Sequence, residues 1–207
     1  MDEATKAELL DKYRDINVDF EDWSDYVVDQ FKEDMRKIVD ISNVYWSGFW
    51  SQGDGACFEC YVSSEDWYAL MTELGYDPDG SDRVFYEFMK THGYIDVKHT
   101  GHYCHHKSVT FYDRVPKPQD YEDEDLIYFY APYKCEVCDT KAASWVALMR
   151  NASVCALVRD VEEYLTDKMQ ELYRLLEKEY KYLTSDEAVW EAIVANELHL
   201  PPEERTE

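Results

Sequence analysis

Residues 44–62 read V-Y-W-S-G-F-W-S-Q-G-D-G-A-C-F-E-C-Y-V. Two aromatic, β-favouring arms, 44–50 and 56–62, flank Ser51, Gln52, Gly53, Asp54 and Gly55. Glycine adopts positive φ at little cost and Asp-Gly suits a tight reversal, so this stretch predicts a β-hairpin. A hairpin cannot stand alone, because two strands bury too little apolar surface. The rest of the chain must cover and extend it. Strands predicted near 94–100 and 107–112 would enlarge the sheet. The expected fold class is therefore α+β, a small antiparallel sheet packed by helices with a long C-terminal helical section.

Helical periodicity supplies the cover. Val27, Val28, Phe31, Met35 and Ile38 recur at helical spacing after a cap at Ser24 or Asp25. Short helices are predicted from Ser64-Glu65-Asp66 to Gly75, and from Ser81 to near Gly93, around a turn at Pro78-Asp79-Gly80. From about Ala142 the chain reads as helix, with Val161, Leu165, Met169, Leu172 and Leu176 on one stripe. Thr184-Ser185-Asp186-Glu187 has capping-box character and restarts a last helix, predicted to turn Trp190, Ile193 and Val194 inward. The domain reading is an α+β core over 1–112, an acidic linker over 113–125 and a helical section over 126–207 packed on the core.

Charge narrows the function classes. Forty-five acidic residues against 21 basic ones give −24, and the excess is spread over the whole length. Such a surface repels nucleic acid and anionic membranes and attracts basic surfaces. The sequence has no apolar run long enough to span a bilayer and opens on a polar, acidic stretch, so a cytoplasmic protein is expected. The densest acidic run comprises Asp120, Glu122, Asp123, Glu124 and Asp125. With Glu162 and Glu163 on the long helix, it forms the candidate partner-binding surface.

Two constellations bear on chemistry. His99, His102, His105 and His106 lie within eight residues. If the hairpin turn sits beside them, Gln52, Asp54, His102 and His105 make a candidate ligand pocket, with Asp54 orienting an imidazole or sharing a metal. The cysteines at 57, 60, 104, 135, 138 and 155 include two Cys-x-x-Cys pairs. Cys135 and Cys138 admit a structural zinc, the one cofactor considered. Cys57 and Cys60 fit zinc poorly, since residues three apart on a strand face opposite ways. No Walker A, nucleophile-elbow, zincin or dinucleotide fingerprint is present, and no catalytic residue is assigned.

The segment Ser47–Glu59, S-G-F-W-S-Q-G-D-G-A-C-F-E, resembles a motif of small proteins encoded by tailed phages and by bacteria carrying prophages. A later H-x-G-H-Y-x-H-x-x-S-V pattern in those proteins matches His99, Gly101, His102, Tyr103, His105, Ser108 and Val109. The acidic aromatic segment from Asp19 to Met35 fits too, as do Leu172–Leu183 and the residues after it. The chain departs from the pattern at Cys60, where glycine is expected, and at Cys104, where an aromatic is expected. The resemblance implies a phage accessory protein. With the charge, it implies an inhibitor that presents carboxylates in place of phosphates to a basic host protein, such as a defence nuclease. The alternative expectation is a small-molecule or nucleotide-binding protein, or a hydrolase, using the Gln/Asp/His pocket.

Overall fold

The computed structural model describes residues 3–20, 22–113 and 152–198. The acidic run at 120–125 and Cys135 and Cys138 lie outside the described residues. In chain order the elements are α1 (Glu3–Lys12), α2 (Asp22–Met35), β1 (Ile41–Ser47), β2 (Gly55–Val62), α3 (Trp67–Glu73), α4 (Arg83–His92), β3 (Ile95–His99), β4 (Val109–Asp113), α5 (Ala152–Leu183) and α6 (Asp186–Ala195). The fold is α+β, as the periodicities require.

The four strands form one antiparallel sheet in the order β1-β2-β3-β4. Register is continuous between β3 and β4, from Ile95 opposite Asp113 to His99 opposite Val109. Between β1 and β2 it slips once, between Ile41 and Asn43. Alternation sets the faces: Ala56, Phe58, Cys60 and Val62 of β2 are buried, while Tyr61 is 52% exposed. Opposite Cys60 and Val62 stand Val97 and Ile95, both fully buried. Consecutive strands pairing with their neighbours put both hairpin ends, 48–54 and 100–108, at the same end of the sheet.

The chain divides into two compact units. The larger comprises residues 32–171 and contains the sheet, α3, α4 and the first part of α5. Trp67, Leu70, Met71, Phe88, Met89, Val161, Leu165 and Met169 are among its buried helical residues. Each such side chain contributes on the order of 1.5–3 kcal/mol by leaving water. Trp67 also satisfies its indole N–H by donating to the Gly93 carbonyl at 3.0 Å. A Schellman motif ends α3: Tyr76 N–H donates to Met71 O and Gly75 N–H to Thr72 O, with Gly75 at φ +83°.

The smaller unit joins residues 1–31 to 172–207. Leu9 and Leu10 pack with Val189 and Ile193, and Tyr13, Ile16, Trp190 and Leu198 flank them. Arg14 donates to the Thr184 carbonyl at 3.1 Å and pairs with Asp186, so a cation sits where α5 ends. Asn17 donates to the Leu183 carbonyl at 3.0 Å. Ser185 caps α6 by accepting from Ala188 N–H at 3.3 Å. One expectation fails here: Val194 is 58% exposed, and Ala188 and Val189 take the inward positions with Ile193. Starting the helix at Asp186 rotates the buried face onto 189 and 193, four apart.

Candidate functional site

The strand arms predicted at 44–50 and 56–62 shift in the structure, because β1 stops at Ser47. Asp54 causes the early stop. Its Oδ2 accepts from Trp50 N–H at 2.8 Å and Ser51 N–H at 2.5 Å, amides that would otherwise enter a ladder. Ser47 Oγ donates to Oδ1 at 3.4 Å, and Asp54 N–H closes the turn on the Ser51 carbonyl at 3.1 Å. Gly48 adopts φ +24°, and a Cβ there would lie 2.7 Å from Asp54 Oδ2. The carboxylate is thus the keystone of its own loop. Among the described residues no hydrogen bond joins it to His102 or His105, so it orients no imidazole.

The second loop is built the same way, from its own groups. His105 Nδ1 accepts from Lys107 N–H at 3.1 Å, capping the 3-10 turn His106–Ser108. That bond leaves the proton of the neutral ring on Nε2. Thr100 and Gly101 N–H both donate to the Ser108 carbonyl, at 2.9 and 3.1 Å. His99 donates from Nε2 to the Tyr103 carbonyl at 2.9 Å and stacks on Tyr45 at 4.4 Å. Its backbone N–H donates to Glu59 Oε1 at 3.0 Å. Glu59 also accepts from Asn43, and these two bonds, Asn43 first, hold its carboxyl below the usual range.

The two loops meet as the pocket reading required, through backbone and rings. A Cβ on Gly53 would run into the Tyr103 ring, and one on Gly55 would lie 2.6 Å from the His105 Cα. Both glycines are therefore spaces filled by the opposite loop. Tyr103 in turn stacks on His105 at 5.9 Å and meets His102 edge-on at 5.4 Å. His106 is half-buried; burial, then His105 and Lys107, push its pKa down, while Asp167 of α5 opposes them. Gln52 and His102 are exposed, and no contact joins the four expected residues into one cluster.

The cysteines near this site are poor nucleophiles. Burial, then Cys104 and Glu59, pushes the Cys57 thiol up to about 12, and burial, then Asp66 and Asp96, raises Cys60 to about 12. Among the described residues no three His, Cys, Asp or Glu side chains stand as a metal-binding group. Trp50, expected in a strand, instead stands 76% exposed on the loop. Sequence reasoning missed Tyr103, although its place between three histidines was visible. No helix among the described residues is long and apolar enough to cross a membrane.

Of the candidate acidic surface, Glu163 is exposed and Glu162 half-buried on α5. Asp160 beside them accepts from the Tyr76 hydroxyl at 2.7 Å. On α2, Asp22, Asp25 and Asp29 are exposed and no ion pair engages them among the described residues, whereas Glu33 pairs with Arg36 at 2.7 Å.

No curated protein matches the chain. No solved structure matches it. A family profile does, over residues 23–186, a span that holds α2 from its second residue, the whole sheet, both loops and α5. The chain belongs to that family, a domain of unknown function designated DUF8835.

Proposed function

We propose that the protein is an acidic binding protein that occupies the basic, phosphate-reading surface of a nucleic-acid-binding partner, in the manner of a phage accessory protein blocking a host defence nuclease. The observation that supports this is the line of exposed carboxylates Asp22, Asp25 and Asp29 in a chain of net charge −24. Residues three and four apart share a helix face, and a rise of about 1.5 Å per residue spaces these charges by roughly 4.5 and 6 Å. Arginine and lysine side chains that neutralise phosphates accept such carboxylates through the same charge-assisted hydrogen bonds. A hydrolytic reading has less support, since Asp54 and His105 Nδ1 are spent on their own loops.

The test is capture of a partner from host lysate by the immobilised full chain, followed by competition. A basic nucleic-acid enzyme that is released by salt and displaced by duplex DNA is the expected outcome. Reversing Asp22, Asp25 and Asp29 to lysine should weaken capture at least tenfold at low salt. A partner held equally at low and high salt, or bound together with its DNA, would refute the proposal.

A further inference from the structure

Two contacts place Cys57 beneath the second loop. On β2 it stands two residues from Gly55 and so shares a face with it, and Tyr45 of β1 is directly opposite. Against Gly55 lies the backbone of His105, whose Cα would be 2.6 Å from a Cβ on that glycine. Against Tyr45 lies the His99 ring, stacked at 4.4 Å, and His99 Nε2 donates to the Tyr103 carbonyl at 2.9 Å. β2 runs between β1 and β3, so the Tyr45–His99 stack spans it beside Cys57. Residue 104 links that carbonyl to His105. Tied on one side to the ring over Tyr45 and on the other to the backbone over Gly55, it sits over Cys57.

The two thiols differ in access. Cys57 is fully buried. Burial first and then Cys104 raise its thiol, and the second cause requires the two sulfurs to be near one another. The burial that makes Cys57 and Cys60 inert does not extend to Cys104, which is half-buried. Cys60 alternates onto the core face, opposite Val97, and its electrostatic neighbours are Asp66, Asp96 and Lys98 rather than a thiol. An accessible thiol over an inaccessible one suits oxidation in two steps. The first thiol reacts with an oxidant from solvent, and the second reacts only with its neighbour.

We propose that Cys57 and Cys104 are a modification site, oxidised by a peroxide to a reversible disulfide that ties β2 to the second loop. The Cys104 thiolate attacks one oxygen of hydrogen peroxide. An S–O bond forms, the O–O bond breaks, and the departing hydroxide takes up the thiol proton and leaves as water. The Cys57 sulfur then attacks the sulfur of the resulting sulfenic acid. The S–S bond forms, the S–O bond breaks, and the hydroxyl leaves as water with the Cys57 proton. Two thiols and one hydrogen peroxide become one disulfide and two waters, and a dithiol reductant reverses the change. The pair is separate from the carboxylates of α2, so neither proposal stands or falls with the other.

The test treats the folded full chain with one equivalent of hydrogen peroxide, unfolds it in an alkylating reagent and maps its peptides by mass. Cys57 and Cys104 should escape alkylation and appear joined in one cross-linked peptide pair, which dithiothreitol releases. Cys57→Ala should leave Cys104 as a sulfenic acid that dimedone traps. Cys104→Ala should leave Cys57 reduced, and Cys60→Ala should still form the link. Circular dichroism checks that each variant folds, and the map of the unsubstituted chain decides without them. The proposal is overturned if Cys57 stays open to alkylation after oxidation, if Cys104 is joined to another cysteine, or if Cys57 is oxidised equally in Cys104→Ala.

Discussion

Two glycine-bearing turns show the same residue serving opposite ends. At Gly75 the backbone sits at φ +83°, and a Cβ would meet nothing within 4 Å. At Gly55 the φ is unexceptional, yet a Cβ would lie 2.5 Å from the His105 Cβ and 2.6 Å from its Cα. Gly75 is required by its own conformation, and Gly55 by its neighbour. The first fault is local and open to solvent; the second would force two loops apart. A turn can therefore be tolerant or intolerant for reasons that its own residues do not display.

Substitution can break this contrast. Gly55→Ala should be the most damaging, because the obstacle is backbone and cannot rotate away; a loss at the upper end of about 1–3 kcal/mol is expected in chemical denaturation. An unchanged midpoint would mean that the two loops do not hold each other. Asp54→Ala should follow closely, since two backbone donors lose a charged acceptor, at roughly 1.5–3 kcal/mol for the pair. Asp54→Asn keeps the shape and part of the bonding, so it should recover some of that loss. If Ala and Asn prove equal, charge and not geometry is what the loop needs.

Gly75→Ala sharpens the other side of the comparison, at about 1 kcal/mol for a strained φ with no clash. An effect as large as that of Gly55→Ala would erase the distinction between conformation and space. Trp50→Ala should shift stability least, within about 0.5 kcal/mol, because a side chain so exposed holds little of the core. A marked loss there would place Trp50 in the frame of the loop.

How much the sequence disclosed follows the range of the forces. Period-two and helical patterns located every described strand and most helices, because burial acts on each element's own residues. The stripe from Val161 to Leu176 is fully buried as its spacing demands. The end of β1 was misjudged by three residues, since Gly48-Phe49-Trp50 look strand-like until the Asp54 carboxylate takes the amides of Trp50 and Ser51. Proximity of the two motifs was expected, but the meeting of Gly53 with Tyr103 and of Gly55 with His105 was not. Glycine announces that something is missing without naming what fills the gap. The clasp of Arg14 on Thr184 spans 170 positions and has no local signature at all.

The meeting of Gly55 and His105 has an evolutionary consequence. Position 55 cannot explore larger residues whatever side chain stands at 105, because the Cα of residue 105 is itself in the way. Positions 53 and 103 are instead gated by each other, since there the obstacle is a ring and not backbone. Across the DUF8835 family the two loops should therefore change as a linked pair, and a graft of either loop into a relative should succeed only when its companion travels with it.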